Sequence, residues 1–541
     1  MNDTAVLGFT YMDLFVSIFP IALLIYLMTK KNSMPSNKAL PLTALLIYFI
    51  QLIYFTADPN LINATVVSGL LTAWVPIMII WGAILLFKTM EVTGAMNTVR
   101  HWLNNISPNP VAQLMIIGWA FAFLIEGASG FGTPAALAAP ILVGLGFQPV
   151  AVACLALVMN SVPVTFGAVG TPTWFGLGIL DLSDPELLAI GFESAIIHTV
   201  AALIIPVIAL TFVVAWKDIL KNIVFVYLSI LSCIIPYLAL ASLNYEFPSL
   251  VGGMVGLVFS VFFASQGIGL SSATENPNKE IISEKIPPGD LVKALFPIWG
   301  TILVLVVTRI QQIGLKGLLQ VAEPTANIPL GTFGDFSVSP ALVLNLNNIF
   351  NTDVGWKYAA LYIPAFIPFF LIVAITVFLY KTPGDKQKQI MSETYQRMTK
   401  PIAALLGALV LVKLMTTGEQ AMNIIIGQAF AAFIGENWQY FASYLGAVGA
   451  FFSGSNTVSN LTFAPIQISI AQTLGLDQTF ILAAQSVGGA MGNMVCINNI
   501  VAVCSILGIV AKEGFIIKRT IWPMLLYGVI AAIMSIFLAT G

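Results

Sequence analysis

Two stretches carry side chains able to do chemistry in surroundings that otherwise offer little. EGASGFGTPAALAAP occupies residues 126–140 and SGSNTVSNLTFAP occupies 453–465, and both interrupt long apolar runs with small and polar residues leading to a proline. Backbone that leaves the helix at membrane depth is tolerated only where protein or a watery cavity satisfies its N–H and C=O groups. The helix that restarts after such a break presents unpaired N–H groups and the positive end of its dipole, which attract an anion. Ser129, Gly130, Phe131, Gly132 and Thr133 in the first stretch, and Ser455, Asn456 and Thr457 in the second, are therefore expected around a carboxylate and its neighbouring hydroxyl. The structural alternative is that these small residues only let helices pack closely.

A second pair of breaks follows, FGAVGTPTW at 166–174 and QSVGGAMGNMVCINN at 485–499. Thr171, Thr173, Asn493, Asn498 and Asn499 could face the first pair across one site, as discontinuous helices do in transporters. Their alternative role is hydrogen bonding between helices, worth about 0.6 to 2 kcal/mol each.

Ionisable residues in apolar context are few. Glu126 follows WAFAFLI; desolvation penalises its charged form, which makes it the expected proton carrier unless a nearby cation pairs with it or it lies at the membrane interface. His198, in GFESAIIHTVAALII, could relay protons or be a neutral, hydrogen-bonded helix residue. Lys413 lies twelve residues beyond Pro401, roughly 18 Å along a helix, and Arg309 sits near the end of LVLVVTRIQQ. Either could hold a substrate carboxylate or snorkel, Arg being the better bidentate partner. Lys88 reads as an inside-facing anchor.

The elements that position these residues must be membrane-spanning. Of 541 residues only 9% are charged, against roughly a quarter in soluble proteins, while 58% are hydrophobic and the mean hydropathy is +0.94. An integral, all-α polytopic membrane protein in a lipid bilayer is expected. The net charge of −2 offers no field for nucleic acid. Two His and four dispersed Cys (Cys154, Cys233, Cys496 and Cys504), without CxxC spacing, point to no metal, cofactor or disulfide framework. No HExxH or GxSxG motif is present, so an intramembrane enzyme is disfavoured. A receptor would need an output domain that the short polar connectors do not supply.

The lengths of the apolar runs give about 12 to 14 transmembrane or re-entrant segments. Asp3 before the first run, with Lys30 and Lys31 after it, marks Tyr11 to Thr29 as a retained span rather than a signal peptide. Lys30, Lys31 and Lys38, Lys217 and Lys221, the basic stretch 381–400, and Lys512, Lys518 and Arg519 are placed in the cytoplasm of a bacterial cell membrane, which puts both termini outside. Residues 266–292 and 381–400 read as cytoplasmic connectors, and 314–356 as an external cap or part of a re-entrant segment.

A self-similarity orders these pieces. GAILLFKTM at 82–90 matches GALVLVKLM at 407–415, and Ala139-Pro140-Ile141 matches Ala464-Pro465-Ile466, both pairs separated by 325 residues. Gly167-Ala168-Val169-Gly170 resembles Gly489-Ala490-Met491-Gly492 further on. The charge markers place the copies in opposite orientation, so they read as two inverted repeats, the arrangement secondary transporters use for alternating access. The expected organisation is scaffold helices at 1–65, a first repeat with a hairpin-like break at 66–195, further scaffold at 196–400, a second repeat at 401–515 and a C-terminal helix at 516–541.

At these residues the chain becomes recognisable. EGASGFGTPAALAAPILVGLGF, FGAVGTPTWFG and FSGSNTVSNLTFAPIQ resemble the bacterial L-lactate permease family over nearly the whole length. The resemblance implies proton-coupled uptake of L-lactate, with glycolate, D-lactate or other 2-hydroxymonocarboxylates as further substrates. It also implies a place in the ion-transporter superfamily, with a scaffold and a mobile unit bearing two hairpins; the elevator motion is fold-level analogy. The family motif maps onto Glu126 to Pro140 and Ser453 to Pro465. A sodium-coupled carboxylate carrier is the competing reading, and whether the chain forms a homo-oligomer is left open.

Overall fold

A chain this apolar keeps its backbone out of contact with lipid by pairing it within each crossing, and helices dominate accordingly. The computed structural model describes residues 9–30, 34–130, 132–271, 286–309, 314–363, 365–418, 421–510 and 512–539. Phe131, Lys31 and much of the 266–292 connector lie outside the described residues. Among those described, 11 helices are long and apolar enough to cross a membrane, or 12 if the bent pair Pro149–Met159 and Val162–Leu180 forms one span. Two shorter apolar helices, Thr133–Gly144 and Phe366–Leu379, accompany them. All four cysteines are buried thiols.

Contacts divide the chain into two units, residues 1–96 with 292–430, and residues 97–291 with 431–541. These boundaries differ from the 65/66, 195/196 and 400/401 divisions drawn from the repeat. They fall where they do because Trp74–Thr93 and Gly384–Met415 pack on each other in the first unit, whereas both pairs of breaks lie in the second.

In the first unit, Gly384–Met415 is one continuous helix of 32 residues. The 381–400 stretch, expected as a connector, is therefore largely helical. Side-chain pairs on the helix and its docking on a neighbour stabilise it: Gln389 Nε2 donates to Glu393 Oε1 at 2.8 Å, and Glu393 accepts from Lys88 Nζ at 2.8 Å. Lys88, only 5% exposed, also meets Glu91 at 2.6 Å. At the other end of the helix the Lys413 ammonium donates to Ser68 Oγ at 2.9 Å, and Ser68 Oγ donates to the Gly355 carbonyl at 2.9 Å.

Gly355 precedes the last strand of a small antiparallel sheet in the region expected to cap the outside: β1 (Ala326–Pro329), β2 (Asp335–Val338), β3 (Val343–Asn347) and β4 (Trp356–Ala359), paired in chain order. The register puts Ile328, Phe336, Leu346 and Trp356 in one row and Asn327, Ser337, Asn345 and Lys357 in the next. Successive rows face opposite sides. The apolar face packs on helix Pro59–Thr72 through Leu346, Ala64 and Val67.

In the second unit close helix contact depends on missing side chains. Gly488 and Gly492, four apart on Gln478–Gly492, lie against Trp438–Ser453; a Cβ on Gly488 would come 1.9 Å from the Ser443 carbonyl oxygen, and one on Gly492 2.5 Å from that of Ala447. Such spacing lets two membrane helices approach to backbone contact. Gly488→Ala is expected to destabilise the protein by about 1–3 kcal/mol through overpacking. Gly514→Ala, on an exposed helical turn with nothing within 4 Å of its Cβ, is expected to be neutral or slightly stabilising. Thermal unfolding of both variants in detergent measures the difference.

Candidate functional site

Both halves of the second unit contain the same order of elements. Pro110–Ser129 stops at Gly130, Thr133–Gly144 follows, and Pro149–Met159 leads through the 3-10 turn Val162–Phe166 into Gly167–Trp174. Trp438–Ser453 stops at Gly454, Asn456–Leu474 follows, and Gln478–Gly492 leads through the 3-10 turn Asn493–Val495 into Ile497–Ile506. Gly130 has φ +59° and ψ −157°, and Gly132 has φ +75°, conformations open to glycine and costly for other residues.

The four breaks meet at a cavity of about 20 Å³, lined among others by Glu126, Asn160, Gly167, Asn456, Thr457 and Asn493, with Gly130, Gly132, Gly454 and Ser455 from the two tips. That volume suffices for roughly one water. Of the residues expected from sequence, Glu126, Gly130, Gly132, Ser455, Asn456, Thr457 and Asn493 are on this wall. Phe131 lies outside the described residues. Asn499 lies close by, its Oδ1 3.2 Å from where a Cβ on Gly132 would be and 3.3 Å from one on Gly454.

Other expected residues have local partners. Ser129 Oγ donates to the Ile125 carbonyl at 2.8 Å, within its own helix, and the Thr133 N–H donates to the Gly130 carbonyl at 3.1 Å. Ala168, Val169 and Gly170 all have positive φ (45°, 57° and 69°). For Ala and Val this costs on the order of 1–3 kcal/mol each and persists only where the surroundings impose it. Thr171 Oγ1 donates to the Ala168 carbonyl, Trp174 Nε1 to that of Val169 at 3.0 Å, and Thr173 Oγ1 to that of Thr165 at 2.9 Å. Thr171 and Thr173 thus hold the break's own backbone. His198 is fully buried between Thr165 Oγ1 and the Tyr527 hydroxyl. Arg309 and Lys413 belong to the first unit. The Arg309 Nη1 donates to the Tyr362 carbonyl at 2.7 Å, and its guanidinium lies 3.7 Å from the Tyr362 ring centroid.

Glu126 is 3% exposed, and among the described residues no ion pair involves it. Its Oε2 accepts from Asn160 Nδ2 at 3.1 Å. The Asn160 Oδ1 is buried without a partner. Space for the carboxyl comes from Gly167, where an added Cβ would lie 2.5 Å from Glu126 Oε1. Asn160 and Gly167 were not singled out as site residues. Asn160 did carry a signal: a polar residue ending the apolar run AVACLALVM and followed by Ser-Val-Pro, the punctuation seen in three of the four breaks.

At Asn456–Leu474, Ser455 caps the helix by accepting from the Val458 N–H at 3.3 Å, so the N–H groups of Asn456 and Thr457 open it beside the cavity. In Thr133–Gly144 the Thr133 N–H is engaged by Gly130, and Pro134 has none to give. The two tips are therefore unequal: the second offers donors at its first positions, the first offers an acid nearby.

Many apolar helices, with paired breaks around a small polar cavity and a buried acid that has no ion pair among the described residues, define a multi-pass membrane transporter. Residues 13–540 match the profile of L-lactate permease. The chain belongs to the L-lactate permease family. It is 55% identical to a Haemophilus influenzae protein provisionally named an L-lactate permease, over 97% of this chain and 98% of that one. It is 24% identical to an Escherichia coli glycolate permease, over 86% of this chain and 85% of that one. The solved structure of Neisseria gonorrhoeae MtrF, described with a class of antimetabolite efflux pumps, aligns with a TM-score of 0.47 at 14% identity, covering 96% of this chain and 98% of that one.

Gly167→Ala is expected to displace the Glu126 carboxyl while leaving the helices in place, since φ at Gly167 is −65° and suits alanine. Transport should fall at least about tenfold, the equivalent of 1.4 kcal/mol of overpacking, with unchanged helix content by circular dichroism. Wild-type transport rates in this variant would show that the carboxyl position is unimportant.

Proposed function

We propose that this protein is a secondary transporter that takes up L-lactate, with D-lactate and glycolate as further substrates, by proton symport through alternating access. The carrying observation is the Glu126 carboxyl, buried on the cavity wall without a cation. A lone charge at the bilayer centre costs at least about 2.5–3.5 kcal/mol. Protonated Glu126 removes that cost, and its ionised form raises it when a lactate anion is also present. Anion and proton together make a neutral cargo, so the loaded site carries the same net charge as the empty, ionised one, whereas lactate beside ionised Glu126 puts two negative charges in one site and is held back. That difference is the coupling.

The substrate carboxylate is assigned to the N–H groups of Asn456 and Thr457 at the opening of a 19-residue helix. Arg309 and Lys413 are left out of the binding role, because their described hydrogen bonds tie them to Tyr362 and Ser68 in the first unit. Lactate is larger than the one water the cavity accommodates, so the described conformation is read as closed around the site. The repeated order of elements supports two inverted halves that open the site to each side in turn. A membrane location in which basic loops face the cytoplasm, and both termini outside, follows from the same charge reading.

Uptake of labelled L-lactate into proteoliposomes, with proton and sodium gradients imposed separately, tests this reading. Accumulation is expected when the outside is more acidic, and Glu126→Gln is expected to abolish that accumulation while retaining some lactate exchange. Accumulation that follows sodium and ignores pH would favour a cation held by the Asn160 and Asn456 carbonyl oxygens instead.

A further inference from the structure

We propose that Asn456 reads the α-hydroxyl of the transported 2-hydroxy acid, its carboxamide oriented for this by a hydrogen-bond chain through Ser486, Thr165, His198 and Tyr527. The inference rests on the transport reading above and adds the group that selects the substrate class.

The chain can be followed proton by proton. The His198 Nδ1 faces the Tyr527 hydroxyl at 2.5 Å, and its Nε2 faces Thr165 Oγ1 at 2.7 Å. A neutral imidazole donates from one nitrogen and accepts at the other. If Nδ1 carried the proton, the Tyr527 O–H would be left without an acceptor among the described residues, inside a fully buried site. With the proton on Nε2, every group has a use. The Tyr527 O–H donates to Nδ1, His198 Nε2–H donates to Thr165 Oγ1, and the Thr165 O–H donates to the Ser486 carbonyl at 3.4 Å. The Ser486 hydroxyl then donates to Thr165 Oγ1 at 3.4 Å, and its oxygen accepts from Asn460 Nδ2 at 3.2 Å and Asn456 Nδ2 at 3.5 Å.

That direction fixes the amide of Asn456. Ser486 Oγ has spent its proton on Thr165, so it can only accept, and the NH2 side of Asn456 turns towards it. The Asn456 Oδ1 is left buried and without a partner, in a residue 2% exposed on the cavity wall. Gly489 keeps this place open: a Cβ there would lie 1.9 Å from the oxygen. An unpaired buried carbonyl is costly, and the group it calls for is a donor. In a 2-hydroxy acid the hydroxyl is one carbon from the carboxylate. The N–H groups of Asn456 and Thr457 and the Oδ1 of Asn456 offer donors and an acceptor on neighbouring residues of the cavity wall. Propionate lacks the hydroxyl, and the keto oxygen of pyruvate is itself an acceptor, so neither satisfies Oδ1. His198 is on this account a positioning residue, acting through Thr165 and Ser486.

The test is competition against labelled L-lactate uptake by the full chain in proteoliposomes. Glycolate is expected to compete well, while propionate and pyruvate compete about 10- to 100-fold more weakly, the penalty of one unmade buried hydrogen bond. Asn456→Leu should narrow the lactate-to-propionate preference by most of that factor. His198→Phe should narrow it as well, while His198→Gln, which retains a donor of similar reach to Thr165, should keep more of it. Propionate competing on a par with glycolate in the wild type overturns the proposal whatever the variants do. So does a lactate-to-propionate ratio unchanged in a folded Asn456→Leu protein. Wild-type protein that takes up no lactate overturns the transport reading itself, an outcome distinct from lactate uptake without hydroxyl preference.

Discussion

Backbone released from a helix inside an apolar bundle must find its partners within the protein, and the second unit is organised around that requirement. The break at 162–174 shows how fully it is met. The carbonyls of Pro163, Thr165, Ala168, Val169 and Pro172 accept from Ser249 Oγ, Thr173 Oγ1, Thr171 Oγ1, Trp174 Nε1 and Asn460 Nδ2 in turn. Each polar side chain in this list sits in sequence that otherwise favours lipid or core. The left-handed turn at Ala168 and Val169 is held by these bonds, and it presents Gly167 to the cavity at the one place where the Glu126 carboxyl needs room.

The same requirement separates the two titratable groups at the heart of this unit. His198 has a partner on each nitrogen and a place in a continuous chain, so its surroundings are complete with the ring neutral. Glu126 has one amide donor on Oε2 and an incomplete neighbour in Asn160, whose Oδ1 is unpaired. A satisfied group resists change of protonation; an incompletely satisfied one on a cavity wall accommodates it. This contrast is why the proposed transport reading gives the proton to the carboxyl and orientation to the imidazole, although both residues look alike in sequence as isolated titratable groups in apolar runs.

What could be read from sequence follows the range over which the physics acts. Local conflict is legible: Gly, Ser, Thr and Asn inside an apolar run marked all four breaks, with a Pro following in three of them, and Glu126 stood out beside the first. Roles that depend on distant partners were not. Thr171 and Thr173 looked like ligand donors, and only the positive φ values beside them explain why their hydroxyls go to backbone. Asn460 and Ser486 gave no warning of their place in the chain behind Asn456, since their partners lie on other helices. The four-stranded sheet escaped because strands of four or five residues carry a weak periodic signal, and its apolar face is completed by a helix more than 250 residues away. The 381–400 stretch, read as a connector, is largely helical, since Lys, Glu and Gln are good helix formers when a helix can continue into them.

The two lysines that share a place in the matching segments GAILLFKTM and GALVLVKLM sharpen the electrostatic argument. Lys88 is buried against two carboxylates, Glu91 and Glu393, so this triad has a net negative charge when all three are ionised and offers nothing to a further anion. Lys413, at the equivalent position, meets the Ser68 hydroxyl and through it the Gly355 carbonyl, fastening Gly384–Met415 and Pro59–Thr72 to the edge of β4. Positions alike in sequence have thus been committed to architecture by different partners, and both lie in the unit that lacks the breaks. No ion pair supplies a cation to the cavity among the described residues. An anion binding there must be balanced by helix dipoles, by neutral donors and by whatever positive charge travels with it. A dipole supplies about half an elementary charge and falls off within a turn, so it orients a carboxylate without cancelling it. On the proposed transport reading the remainder comes with a mobile cation, and a carboxyl that can hold a proton beside the binding groups is a means of bringing one.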